Sequence, residues 1–391
     1  MIKVCAIGWY GTETIGDRAI LAGIIKILAD DFNGIKISLG SIHPFYSRRT
    51  VREDSSLYGK MTSKSFYVNL FDVKSIKELK KEIKNCELLI MAGGPLMDLP
   101  ELYMVDFAFK YAKKYKKKTA IYGCGVGPLF NEKYQKVVLD IFQKSDISIL
   151  RDTQSRNFIT KLSKEHNISL EFDKIYTAFD PAVICATEYK KAASGKENKD
   201  ICVMNLRDFP AEYINDGNGV RYSKINEIIK RIMTDVSTKF DNVVLVPMHY
   251  FWIGNDDREY FFKLLLKNSG FGNFIVQATP LSLEKTMELF YNASFCVGMR
   301  FHSVVLQTIL NGKNIVIDYT EKGNGKINNF LRDVDKNNFY DYRYINLQEN
   351  DLMIAINWNK INSSEKFNID DTSYYINGLN TYKKVNSILM I

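Results

Sequence analysis

The sequence predicts an α/β protein made of two doubly wound parallel-sheet domains in tandem. Three observations predict it. Short runs that are apolar on both faces, such as "KVCAIGW" and "ELLIMAGG", alternate with amphipathic stretches of helical length. The alternation stops once, at the polar, basic, small-residue segment "EYKKAASGKENKD" (residues 188 to 200), and then restarts. At 391 residues the chain is long enough for two such domains.

In the first domain, residues 1–187, "KVCAIGW" reads as a strand and "DRAILAGIIKILAD" as a helix with apolar residues at helical spacing. "GIKISLG" is the next strand, "SIKELKKEIKN" a helix and "ELLIMAGG" a strand. A helix over roughly 99 to 117 leads to the strand "KTAIYGCGVG". "NEKYQKVVLDIFQKS" is a helix, "DISILRD" a strand and "TQSRNFITKLSK" a helix. Residues 188–200 read as an interdomain linker.

The second domain, 201–335, repeats the pattern. Its strands are "ICVMNLRDF", "NVVLVPMHY", "FIVQA", "SFCVG" and "NIVIDY", and its helices include "SKINEIIKRIMTDVSTKF", "REYFFKLLLKNSG" and "FHSVVLQTIL". Ser282 is suited to cap the helix that runs to Tyr291. The remainder, 336–391, is rich in Asn, Asp and Tyr, with helices expected near 350–362 and 371–388.

Composition excludes several classes. No window of about 18 apolar residues could span a membrane, and the N-terminus lacks the three parts of a signal peptide, so a cytosolic protein is expected. The six cysteines are scattered, without C-x-x-C spacing, and read as buried reduced thiols. The net charge of +8 is concentrated partly in "KKYKKK", that is Lys113, Lys114, Lys116, Lys117 and Lys118. Such a run is a solvated helix end or a contact for an anionic leaflet or lipid diphosphate. No nucleic-acid-binding motif is present.

Ligands of doubly wound sheets bind beyond the carboxyl ends of the strands. In "GWYGTETIGDRAIL", Gly8, Gly11 and Gly16 permit tight turns, and Asp17 opens a helix as an N-cap or as a base in the cleft. "AGGPLMD" with Gly94 and "CGVGPLF" with Gly127 serve either close packing or anion-binding backbone N–H groups. Arg151-Asp152, Arg207-Asp208, His249-Tyr250, Arg300-Phe301-His302-Ser303 and Tyr319 with the following Glu321 and Lys322 all end strands. The segment "GNDDR" adds Asp256, Asp257 and Arg258. Several separate strands thus deliver cations to one edge, which points to a pocket for an anion with more than one charge. A helix after His302 adds its N–H groups and dipole, and an Arg fork suits phosphate or carboxylate. Phe301 is expected to point inward and turn Arg300 and His302 outward.

The segments "GTETIGDRAILAGI", "MAGGPLMD", "YGCGVGPL", "ISILRDTQSRNFI", "VGMRFHSVVLQTILNGK" and "IDYTEKGNGKINNFL" together resemble the polysaccharide pyruvyl transferase family, in order from about residue 5 to 331. The resemblance implies a GT-B-like fold of two Rossmann-type domains facing a cleft. It implies transfer of pyruvate from phosphoenolpyruvate onto two hydroxyls of a sugar, with no nucleotide and no metal. By motif, Asp17, Arg151, Arg300, His302 and Lys322 fall at functional positions. Here the segment reads "YTEK" where the family has "YDPK", and Lys326 competes with Lys322 for the lysine position. Arg207 and His249 are suggested by location alone.

On that basis His302 is the expected general acid, Asp17 the base, and Arg300 and Arg151 the groups that stabilise the departing phosphate. The expected partners are phosphoenolpyruvate and a saccharide acceptor, free or lipid-diphosphate-linked, with peripheral contact at the inner face of the membrane through the lysine run. Two rival readings share these residues. One is a glycosyltransferase of the same architecture, with "HYFWIGNDDR" holding a nucleotide base and ribose or an acceptor sugar. The other is a non-catalytic subunit of a polysaccharide assembly complex.

Overall fold

The computed structural model describes residues 1–194, 198–209, 220–251, 255–268, 270–320, 323, 325–348, 356–362, 366–369 and 373–390. The chain forms two compact units, Met1–Glu188 with Asp370–Ile391, and Tyr189–Ile369.

The first unit alternates strand and helix from its start. β1 (Ile2–Ile7), α1 (Ile15–Asp31), β2 (Ile35–Ser41), α2 (Pro44–Met61), β3 (Phe66–Asp72) and α3 (Ile76–Asn85) come first. β4 (Leu88–Ala92), the short β5 (Pro95–Leu96), α4 (Leu102–Lys114), β6 (Lys118–Val126) and α5 (Glu132–Lys144) follow. β7 (Ile147–Leu150), α6 (Thr153–Glu165), β8 (Ile175–Thr177) and α7 (Ala182–Ala192) complete the alternation. The sheet order is β3-β2-β1-β4-β6-β7-β8, all parallel, with β5 paired to β6. Burial on both faces explains the continuous apolar runs: every residue of β4 and of β7 is buried.

The second unit contains β9 (Asn198–Asn205), α8 (Val220–Lys239), β10 (Asn242–Leu245), α9 (Asp257–Lys267), β11 (Phe274–Val276), α10 (Leu283–Asn292) and β12 (Ala293–Gly298). α11 (Phe301–Leu310), β13 (Asn314–Asp318), α12 (Lys326–Val334), β14 (Tyr344–Asn346) and α13 (Trp358–Asn362) follow, and α14 (Ser373–Met390) ends the chain. The parallel order is β11-β10-β9-β12-β13-β14. Ser282 caps α10 as expected, accepting from the Lys285 backbone N–H at 3.2 Å. Among the described residues no helix is long and apolar enough to cross a membrane.

Two sequence boundaries move. The segment read as a linker, 188–200, is helix α7 as far as Ala192 and strand from Asn198. Its Lys and Ala residues favour continuing a helix as much as they favour a loop. The stretch from 336 is divided between the units. β14 adds an edge strand to the second sheet, anchored by the fully buried Arg343, whose guanidinium donates to the Ile361 carbonyl at 3.2 Å. α14 belongs to the first unit, where the Tyr382 hydroxyl donates to the Phe179 carbonyl at 2.6 Å and Tyr122 to Asn386 at 3.1 Å.

In each sheet the order reverses direction once, between β1 and β4 and between β9 and β12. The crevice outside the carboxyl ends at such a switch point is where doubly wound sheets bind ligands.

Candidate functional site

In the second unit the switch point is flanked by Arg207, just past β9, and by Arg300 and His302, just past β12. The two strands run in register there, with Asn205 opposite Gly298. Asn205 is fully buried and accepts the Arg300 backbone N–H at 3.1 Å, so one strand end fixes the other.

Arg300 does not project outward as expected. It is 7% exposed and sits against Asp257 at the start of α9. Its Nε lies 2.8 Å from Asp257 Oδ1 and 2.9 Å from Oδ2, and its Nη2 lies 2.5 Å from Oδ1. Nη2 also donates to the Asn255 carbonyl at 3.3 Å. The remaining nitrogen, Nη1, has no hydrogen-bond partner among the described residues. Asp257 is itself saturated: it accepts the backbone N–H groups of Met248 and His249 at 2.9 and 3.1 Å. Burial pushes the Arg300 guanidinium down; Asp257 opposes this, and the neighbouring Arg207 adds to it. The physical reason for the inward turn is that a buried cation needs a paired carboxylate. The pairing engages Nε and Nη2 and leaves Nη1 outside it.

His302 lies in the first turn of α11, which begins at Phe301 rather than after His302. Phe301 is buried, as expected, and its ring meets the His302 ring edge-on at 5.0 Å between centroids. Arg300 is the N-cap and places no side-chain acceptor on the first-turn N–H groups. Those donors and the helix dipole sit beside Arg300 and His302.

Arg207 donates from Nη1 to the Tyr319 hydroxyl at 3.0 Å, and its guanidinium lies 4.8 Å from that ring's centroid. Lys326 opens α12 with its ammonium 5.9 Å from the Phe301 ring. His249 is half-buried, and its backbone, not its ring, makes the recorded bond to Asp257. Lys322 and Glu321 lie outside the described residues. Sequence reasoning gave no role to Tyr319 and considered Asp257 only as part of "HYFWIGNDDR" in the rival reading. Asp257 reads as one of two acids at a helix start, and its partner stands 43 positions away.

The first unit holds the other candidates. Asp17 stands in the first turn of α1, capped by Thr14. The Thr12 hydroxyl donates to Asp17 Oδ2 at 3.1 Å, the Thr14 hydroxyl donates to the same oxygen, and the Asp17 backbone N–H returns to Thr14 at 3.3 Å. The Thr14 hydroxyl thus serves both as the cap for the Asp17 N–H and as a donor to its carboxylate. A cavity of about 20 Å³ lies beneath, lined by Tyr10, Glu13, Asp17, Arg18 and Tyr58 among others. Glu13 is buried at φ 57°, pairs with Arg49, and leaves Oε1 without a partner among the described residues.

Three glycine expectations change. Gly16 is the second residue of α1 and makes no turn. Gly94 has φ 74° and packs so closely on Trp9 that a Cβ would lie 2.5 Å from the indole. Three of the backbone N–H groups near Gly94 and Gly127 are used within the sheet. Gly93 donates to the Tyr122 carbonyl, Gly125 to that of Gly94 and Gly127 to that of Leu96, holding β5 against β6. Arg151 is buried against Gly125, 3.5 Å from both Asp152 and Asp180, so the pairing alternative holds for it. The lysine run spans the end of α4, a turn and the first residue of β6, with Lys113 paired to Asp146.

A family model described as polysaccharide pyruvyl transferase matches residues 15–321. No curated protein sequence matches. Among solved structures, UDP-GlcNAc 2-epimerase from Methanocaldococcus jannaschii is similar over 100% of this chain and 99% of its own, at 15% identity and TM-score 0.55. Its complex with UDP-GlcNAc and UDP gives 13% identity and TM-score 0.57 over the same shares. A further UDP-N-acetylglucosamine 2-epimerase covers 83% of this chain and 80% of its own at 11% identity and TM-score 0.51. At such identities the likeness shows the fold alone, the two-domain Rossmann-type, GT-B-like class.

Proposed function

The chain belongs to the polysaccharide pyruvyl transferase family, and from that premise we propose that it transfers pyruvate from phosphoenolpyruvate to two hydroxyls of a saccharide, forming a cyclic ketal and releasing phosphate. The observation that carries the reading is the arrangement around Arg300. Its fork is held on one edge by Asp257, the other edge is left to a ligand, and His302, Arg207 and the N-terminus of α11 stand around it. A carboxylate and a phosphate on one small molecule match that set.

In the proposed reaction His302 gives a proton to C3 of the enol phosphate, which makes C2 electrophilic. A sugar hydroxyl bonds to C2 and loses its proton to a carboxylate, for which Asp17 is the candidate. The bond from C2 to the phosphate oxygen breaks, with the electron pair leaving on phosphate, and a second hydroxyl bonds to C2 and loses its proton to solvent, which closes the ketal. The acceptor is a saccharide of a surface polysaccharide or its lipid-linked precursor, and the lysine run at the end of α4 is the candidate contact for a lipid diphosphate.

Thermal shift tests the donor directly. Phosphoenolpyruvate at ~100 times its Kd is expected to stabilise the protein by ~2.7 kcal/mol. Stabilisation by a nucleotide sugar, with none by phosphoenolpyruvate, would replace this reading with that of a glycosyltransferase.

A further inference from the structure

Tyr319 follows β13 at the carboxyl edge of the second sheet and is 3% exposed. Its hydroxyl oxygen accepts a hydrogen bond from Arg207 Nη1 at 3.0 Å. In that bond the phenol oxygen is the acceptor. The ring has the Arg207 guanidinium over its face and Phe209 edge-on at 6.4 Å, and Gln348 holds the Tyr319 backbone by donating to its carbonyl at 2.9 Å.

The charges around it are unusual for a buried tyrosine. Burial raises the phenol's pKa, but Lys326, Arg207 and Arg300 together outweigh it, against a smaller opposing contribution from Asp318. Tyr319 is therefore held below its ordinary value. Tyr10, Tyr58, Tyr122 and Tyr382, equally buried but without such a set of cations, are all pushed up. The same cations that make the phenol a better acid would stabilise the phenolate left behind.

We propose that Tyr319 is the general acid for the leaving phosphate: as the C2–O bond breaks, the electron pair passes to the bridging oxygen and the Tyr319 hydroxyl gives that oxygen its proton. The phenolate so formed is balanced by Arg207, Lys326 and Arg300 and regains a proton from solvent after phosphate departs. This assignment rests on the pyruvyl-transfer reading. It separates two proton donations, to C3 from His302 and to the phosphate oxygen from Tyr319.

Tyr319→Phe tests it, because the ring, its contact with Phe209 and the guanidinium above it are retained. Phosphate release from phosphoenolpyruvate is measured across pH with a panel of methyl glycosides as acceptors. The wild type is expected to lose rate as pH rises through the phenol's value, since the acid form is then lost. Tyr319→Phe is expected to turn over ~10²-fold more slowly with KM for phosphoenolpyruvate little changed, and to lack that alkaline limb. An ultraviolet pH titration, wild type minus Tyr319→Phe, should show one phenol ionising below pH ~10 and moving upward when phosphoenolpyruvate is added. Turnover equal to wild type, an alkaline limb that persists in the variant, or no such phenol in the difference titration overturns the assignment. A wild type that releases no phosphate with any acceptor and is not stabilised by phosphoenolpyruvate overturns the pyruvyl-transfer reading instead.

Discussion

Arg300 and Asp257 form a two-pronged ion pair in the interior of the second unit, with nitrogen–oxygen distances of 2.5 to 2.9 Å. Each side chain is almost wholly enclosed. The pair joins the end of β12 to the start of α9, so it sets the position of the cation and of the loop beside it.

Removing one member strands the other. Asp257→Ala is expected to destabilise the protein by ~3–5 kcal/mol, because a buried guanidinium and two backbone N–H groups lose their acceptor. Urea denaturation of the variant reads this. A loss under ~1 kcal/mol would mean that water reaches the pair.

Asp17 has a capping role and a proposed catalytic one, and Asp17→Asn separates them. Asparagine keeps an acceptor for Thr12 and Thr14, so stability should fall by only ~0.3–1 kcal/mol through loss of charge at the helix start. Phosphate release with acceptor present should fall ~10²-fold or more. Unchanged turnover returns Asp17 to the cap alone.

His302→Gln should lower phosphate release ~10²–10⁴-fold while phosphoenolpyruvate still raises Tm. The variant leaves Arg300, Arg207 and the first turn of α11 in place. Loss of the Tm response together with turnover would make His302 a binding group and not the acid.

Asp256 gives a pH prediction. It caps α9, and although burial raises its carboxyl, bonds from Arg258 and the Arg258 and Phe251 backbone N–H groups hold it below the usual value. A depressed carboxylate contributes stability above the unfolded value that is lost as pH falls through the folded one. Asp256→Ala should cost ~1 kcal/mol near neutrality, with the difference from wild type shrinking below pH ~4. Equilibrium denaturation at two pH values measures it.

α14 is expected to be an integral part of the first unit. Tyr382→Phe removes the donor to the buried Phe179 carbonyl and should cost ~1–3 kcal/mol. A chain ending at residue 369 exposes Tyr122 and Phe179 and should show a lower Tm for the first unit.

Some of this was written locally in the sequence. The βα alternation is legible because parallel strands buried on both faces carry unbroken apolar runs, as "ELLIM" does. The cap at Ser282 is legible because a hydroxyl before a periodic helix has one local use. The chain passes from the first unit to the second at the start of the segment 188–200, but the segment is not all loop, because Lys and Ala occur equally in a solvated helix end and α7 runs on to Ala192. The glycine turns near Gly94 and Gly127 are legible as turns, but where their N–H groups point depends on β5 meeting β6.

By itself the sequence determined the fold class, the family and the strand ends that carry chemistry, because periodicity, glycine turns and motif spacing are properties of short segments. Only the tertiary structure decided what each cation does. Arg300 turns inward because Asp257 waits 43 residues earlier in the chain; Arg151 is taken by Asp152 and Asp180. Tyr319 becomes a candidate acid because Arg207, Arg300 and Lys326 arrive from three other elements. A buried charge is governed by the partners that the fold brings to it, and those partners are not neighbours in sequence.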